Sequence, residues 1–172
     1  MHVALTGFMG AGKTTVGRRL ARILRMPFAD SDAEVMRVHG EIACIFEREG
    51  EAQFRRYESE ALERLMRAKA GVIAVGGGAV LSPENRALLR RGGVIVHLEI
   101  SADDAYKRVA HRKHRPLLGA APDLNAVRAL MRSRAAAYAD NDFEVRAGGR
   151  PAAAVARTIA RWYRAREGAA NR

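Results

Sequence analysis

Residues Gly7 to Thr14 read G-F-M-G-A-G-K-T, a complete G-x-x-x-x-G-K-[ST] pattern. A loop of this kind works only between a buried strand and a helix, so it constrains the fold as well as the ligand. Both flanks comply. His2-Val3-Ala4-Leu5-Thr6 is a short apolar run suited to a buried strand, and between Thr14 and Leu24 the apolar residues Val16, Leu20, Ile23 and Leu24 recur at helical spacing. Glycines at 7, 10 and 12 let the backbone curl until its N–H groups face an anion, and the dipole of the following helix adds to that field. The pattern makes Gly10, Ala11, Gly12, Lys13, Thr14 and Thr15 the candidate cradle for a nucleoside triphosphate. Lys13 can reach the outer phosphates, and the Thr14 hydroxyl is placed for Mg²⁺.

A chain of 172 residues with 48% hydrophobic and 28% charged residues predicts one domain with a substantial core. No apolar run nears the ~20 residues that span a bilayer, and the N-terminus lacks the basic-then-apolar pattern of a secretory signal. Cys44 is the only cysteine, which excludes an intrachain disulfide and predicts a reducing, cytoplasmic setting. Its neighbours Ile42, Ala43, Ile45 and Phe46 predict a small core side chain and not a nucleophile. The net charge of +11 raises the question of a nucleic-acid partner. The basic residues are scattered, however, and all but the lysines at 13, 69, 107 and 113 are arginines. With no basic stripe and no interleaved aromatics, neither a nucleic-acid nor a membrane partner is expected, and a monomer is the default.

Helical and strand-like segments alternate along the chain. Strands are expected at Pro27–Asp30, Gly71–Val75, Val94–Ile100 and Asp142–Arg146, with helices over Ala33–His39, Ile42–Lys69, Ser82–Gly92, Ser101–Ala110 and Pro151–Glu167. Ser82 is a good N-cap with Pro83 at the first helical position. Strands separated by helices imply α/β architecture, a parallel sheet covered on both faces. The polar, basic stretch from 111 to 122 has little periodicity and sits between two helices, as a lid would.

Four features narrow the chemistry. Asp30-Ser31-Asp32 places two carboxylates at the C-terminal end of a strand, the edge where parallel α/β sheets bind ligands. Two acids two apart in an extended segment point to opposite sides, one toward a magnesium shell and one toward an acceptor; a helix N-cap is the simpler alternative. Gly76-Gly77-Gly78 directly after a strand suits a backbone wall against a small polyol. Arg115, in Arg115-Pro116-Leu117-Leu118 of the lid stretch, can clamp a transferring phosphoryl group. Arg55 and Arg134 carry no local signature. His111 and His114 have the spacing of a metal pair, but no third ligand supports them.

In series, G-F-M-G-A-G-K-T-T-V-G-R-R-L-A, F-A-D-S-D, G-E-A-Q-F-R-R-Y-E, G-G-G-A-V-L, R-P-L-L and R-x-x-x-Y resemble the shikimate kinase family over about residues 3 to 140. The resemblance implies a P-loop kinase: a three-layer α/β fold with a five-stranded parallel sheet in order 2-3-1-4-5, a substrate-binding region near 31–62 and a lid near 111–122. It implies ATP-dependent phosphorylation of the 3-hydroxyl of shikimate. By position it assigns Lys13 and Thr14 to ATP and Mg²⁺, and Asp30 to the metal's outer shell. It makes Asp32 the base, Arg55 and Arg134 the carboxylate grip, Glu58 the group that orients Arg55, and Gly76, Gly77 and Gly78 the acceptor wall. It gives Arg115 the transferring phosphoryl group, Arg108 one face of adenine and Pro151 the other. The chain departs from the family pattern at Val35-Met36, at Cys44, at Ala136 and by one missing residue between Asp32 and Phe54. Most of these lie in the acceptor half, so aminoshikimate or gluconate stand as alternative acceptors.

Overall fold

The computed structural model describes residues 1–109 and 123–170. Strand β1 (His2–Thr6) is buried at every position, as is most of β4 (Gly93–Glu99). Such continuous apolar runs belong in the middle of a sheet covered on both faces. They occupy that place: β1 is flanked by β3 (Val72–Ala74) and β4, with β2 (Phe28–Asp30) and β5 (Phe143–Arg146) at the edges. The order is β2-β3-β1-β4-β5 and all four pairings are parallel, with Val3 beside Val72 and Val94. Parallel pairing brings the ends of β1, β2 and β3 to one edge. The glycine loop, Asp30 and the glycine triplet therefore emerge together, although 61 residues of chain lie between Thr14 and Gly76.

Around the sheet stand α1 (Lys13–Leu24), α2 (Ser31–His39), α3 (Ile42–Arg67), α4 (Pro83–Gly92), α5 (Ala102–Val109), α6 (Leu124–Ala139) and α7 (Ala152–Ala170). The main core joins β1, β3 and β4 to α1 and α7 through Leu5, Leu20, Ile95, Leu98 and Ile159. Helices α2 and α3 close on a second, smaller cluster of Val35, Ile45, Phe54 and Ala61. Within α3, Gly50 adopts φ 81° and ψ 172°, a left-handed break that a side chain would strain. The Ser82 hydroxyl accepts from the Asn85 N–H at 3.2 Å, capping α4. Among the described residues, no helix is long and apolar enough to cross a membrane.

Two expectations fail. Cys44 is exposed, while Ile45 beside it is buried. A helix turns about 100° per residue, so only one side of the apolar run from Ile42 to Phe46 can face the core. The D-S-D segment is also not extended throughout: α2 begins at Ser31. The Asp30 carboxylate accepts from the Asp32 and Ala33 N–H groups, and this cap turns the chain into a helix at once. A 3₁₀ turn at Ala79–Leu81, also not anticipated, follows the glycine triplet. Arg115, His111, His114 and the rest of the expected lid lie outside the described residues.

Candidate active site

The glycine loop adopts the expected geometry: Gly7, Gly10 and Gly12 have φ of 137°, 84° and 88°. A Cβ at Gly7 would lie 2.6 Å from the Leu98 carbonyl oxygen, so both space and φ demand glycine there. The Ala11 N–H donates to Phe8 O at 3.1 Å, and Val16 N–H to Gly12 O at 2.8 Å, joining the turn to the first turn of α1. The Lys13 ammonium lies over the loop, donating to Gly7 O at 2.7 Å and Phe8 O at 3.3 Å. Thr14 and Thr15 are exposed at the helix start, open to a phosphate chain. Arg108, on α5, reaches the same loop and donates to Gly10 O at 2.7 Å. Pro151 is exposed just before α7, where its carbonyl accepts from Ala154 and Val155. None of these contacts joins it to the loop.

Asp30 does two jobs with two oxygens. Oδ1 caps α2, and Oδ2 accepts from the Thr14 hydroxyl at 2.7 Å. A hydroxyl that donates its proton to a carboxylate keeps its lone pairs for a cation. Thr14 and Asp30 thus form a hard-oxygen pair that fits Mg²⁺ held jointly with phosphates. Among the described residues, no group of three His, Cys, Asp or Glu side chains able to hold a metal is present.

The glycine triplet measures out the other half of the site. Each glycine stands against a different functional group. A Cβ on Gly76 would lie 2.6 Å from Asp32 Oδ1 and would overlap Glu58 Oε1. One on Gly77 would lie 3.6 Å from Arg134 Nη1, and one on Gly78 would be driven into the Arg55 guanidinium. Two carboxylates and two guanidinium groups therefore converge on three consecutive residues. The Gly76 N–H is itself held by Ser31 Oγ at 2.8 Å, linking the D-S-D turn to the triplet.

Arg55 is fixed from both sides. Its Nη1 donates to Glu58 Oε2 at 2.8 Å, and its Nη2 donates to Glu51 Oε1 at 2.8 Å. Glu51 was not singled out from sequence, though its spacing of four from Arg55 is the ordinary signal for a helical ion pair. Arg134 is 3% exposed, an unusual place for a guanidinium, and lies 5.8 Å from the centre of the Phe8 ring. Two further residues escaped notice, His97 and Tyr138. Tyr138 occurs in the R-x-x-x-Y motif, and His97 interrupts the apolar run of β4, where a lone polar residue is the available signal.

Glu58 is almost wholly buried, and burial pushes its carboxyl up to about 7. The Arg55 guanidinium pulls it partly back, and the Asp32 charge adds to the rise. The folded chain therefore holds this proton more tightly than the unfolded chain. The resulting stability is complete below the ordinary value of 4.5 and is lost as pH rises through about 7. Glu58→Gln deletes that titration. Its Tm relative to the parent should improve on going from about pH 5 to about pH 8; parallel Tm curves in thermal denaturation would rule the raised carboxyl out.

Comparison with known proteins bears on this geometry. The family model described as shikimate kinase matches residues 9–164. A shikimate kinase of Geobacter sulfurreducens is 43% identical over 164 residues, spanning 95% of this chain and 91% of that one. A shikimate kinase of Nitrosospira multiformis is 52% identical over 118 residues, a stretch that covers 68% of this chain and 60% of its own length. The structure of shikimate kinase from Acinetobacter baumannii in complex with shikimate is similar with a TM-score of 0.91 at 36% identity, over 96% of this chain and 93% of that one. With a family model over most of its length and a relative this similar from end to end, the chain belongs to the shikimate kinase family.

Proposed function

We propose that the chain transfers the γ-phosphoryl group of ATP to the 3-hydroxyl of shikimate, giving shikimate 3-phosphate and ADP. The observation that carries this reading is the convergence at the glycine triplet: Asp32 at Gly76, Arg134 at Gly77 and Arg55 at Gly78, beside a phosphate loop. Two guanidinium groups match one carboxylate, and a carboxylate beside them matches a hydroxyl to be deprotonated. The family membership and the shikimate carried by the Acinetobacter baumannii relative support the same acceptor.

In this reading the loop N–H groups and Lys13 hold the phosphates, and Arg108 lies against adenine. Thr14 would hold Mg²⁺ with Asp30 in its outer shell, and the ion would neutralise charge on the β- and γ-phosphates. Glu51 and Glu58 hold the Arg55 fork still, so little side-chain entropy is lost when the acceptor carboxylate arrives. Asp32 takes the proton of the attacking hydroxyl. The chemistry rests mainly on positioning and charge, as phosphoryl transfer requires. The same reading gives Arg115 the transferring group and takes the chain as a monomer of the cytoplasm.

Coupled measurement of ADP release tests it. Release should depend on shikimate and on Mg²⁺, and fall to background when either is withheld. Aminoshikimate and gluconate belong in the same panel. Faster release with either would move the acceptor to that compound, and release independent of any acceptor would leave only an ATPase.

A further inference from the structure

Arg134 and Tyr138 stand one turn apart on α6, on the same face of the helix. Both reach a single atom, the Gly77 carbonyl oxygen. Tyr138 Oη donates to it at 2.6 Å, and Arg134 Nη1 at 3.3 Å. A carbonyl oxygen has lone pairs for two donors, but these bonds are unequal. The tyrosine bond is short, while the arginine bond is longer than the usual N–H···O range. Tyr138 is therefore the main donor. Arg134 also feels the Tyr138 hydroxyl and the Glu58 carboxylate, yet it keeps a donor to spare: among the described residues its Nε has no hydrogen-bond partner. Such a guanidinium keeps donors in reserve for a ligand.

We propose that Tyr138 is a positioning residue for the acceptor: by satisfying the Gly77 carbonyl, it keeps Arg134 from being drawn onto that oxygen and leaves the guanidinium facing the acceptor carboxylate. The inference rests on the carboxylate reading of Arg134 given above. The surroundings of Tyr138 are built for this. The His97 ring stacks on the phenol with centroids 4.9 Å apart and planes 29° apart. Thr6 Oγ1 lies 3.4 Å from His97 Nδ1, so the stack is anchored in the central strand. Burial, reinforced by the Lys13 charge, brings His97 down to about 4, and the ring is neutral at neutral pH. Burial also raises the Tyr138 phenol, which stays protonated and able to donate.

Tyr138→Phe isolates the effect, because it preserves the ring stack and removes only the hydroxyl. The Gly77 oxygen is not orphaned, since Arg134 remains, and the variant should fold. Arg134 then closes onto Gly77 O and withdraws from the acceptor. The acceptor KM should rise about tenfold, the worth of one hydrogen bond, while the ATP KM and the Tm stay near those of the parent. Arg134→Ala alone should raise the acceptor KM, and adding Tyr138→Phe to it should raise it no further, because the hydroxyl acts through Arg134. An unchanged acceptor KM in Tyr138→Phe overturns the proposal, as does the same rise on the Arg134→Ala background. If Arg134→Ala leaves the acceptor KM unchanged, the carboxylate reading falls and takes the proposal with it. A response in Arg134→Ala with none in Tyr138→Phe removes the tyrosine's role alone.

Discussion

Asp32→Asn should lower kcat by about 10²- to 10⁴-fold, the range that a positioned general base contributes. The substitution keeps size and shape while removing the negative charge and, with it, the capacity to take a proton. Nucleotide affinity should change by less than about twofold, because the Thr14 hydroxyl, placed for the metal and phosphates, donates to Asp30. Titration with a non-hydrolysable ATP analogue, beside coupled ADP release, separates the two effects. A variant that turned over at near-parental rate would remove Asp32 from proton transfer. A second readout comes from Glu58. The Asp32 charge helps to raise that carboxyl, so its titration should move down in the variant.

Gly76→Ala should be nearly as damaging, and for a reason visible only in the folded chain. The added methyl would overlap Glu58 Oε1 and lie 2.6 Å from Asp32 Oδ1. Neither carboxylate yields freely: Glu58 is buried and paired with Arg55, and Asp32 stands on the first turn of α2. Displacing them by about 1 Å should cost about 100-fold in kcat. Overpacking of this kind costs about 1–3 kcal/mol, so the Tm should fall by about 5 °C. Parental kcat and Tm in this variant would show that the wall has room to spare. Gly77→Ala serves as the comparison, because its Cβ would meet Arg134 Nη1 at an ordinary 3.6 Å.

The nucleotide half was the legible half. Its cradle is a contiguous run whose φ values require glycine, so local sequence and local structure state the same thing. Arg55 and Arg134 were legible only through resemblance, since the sequence around each is that of an ordinary helix. What marks them is position: one packs on Gly78 and the other sits at 3% exposure behind Gly77. The side of Cys44 is not legible in sequence because an apolar run in a helix has two sides, and periodicity within five residues does not say which is inside. A spacing of two between carboxylates suits a strand, yet Asp32 lies on α2. Asp30 ends that strand by capping α2, so one residue served both readings at once.

Sequence alone determined the ligand class and the frame: a triphosphate loop between a buried strand and a helix, in an alternating α/β chain. It could do so because phosphate binding by backbone N–H groups needs glycine at set intervals within eight residues. Only the tertiary structure decided which side chains meet opposite that loop. The parallel sheet brings the glycine triplet and the start of α2 to one edge, α3 and α6 set Arg55 and Arg134 against it, and burial there sets the charge of Glu58 and the hold on Arg134. Those properties depend on distance and on exclusion of water, and neither is written in any short stretch of the chain.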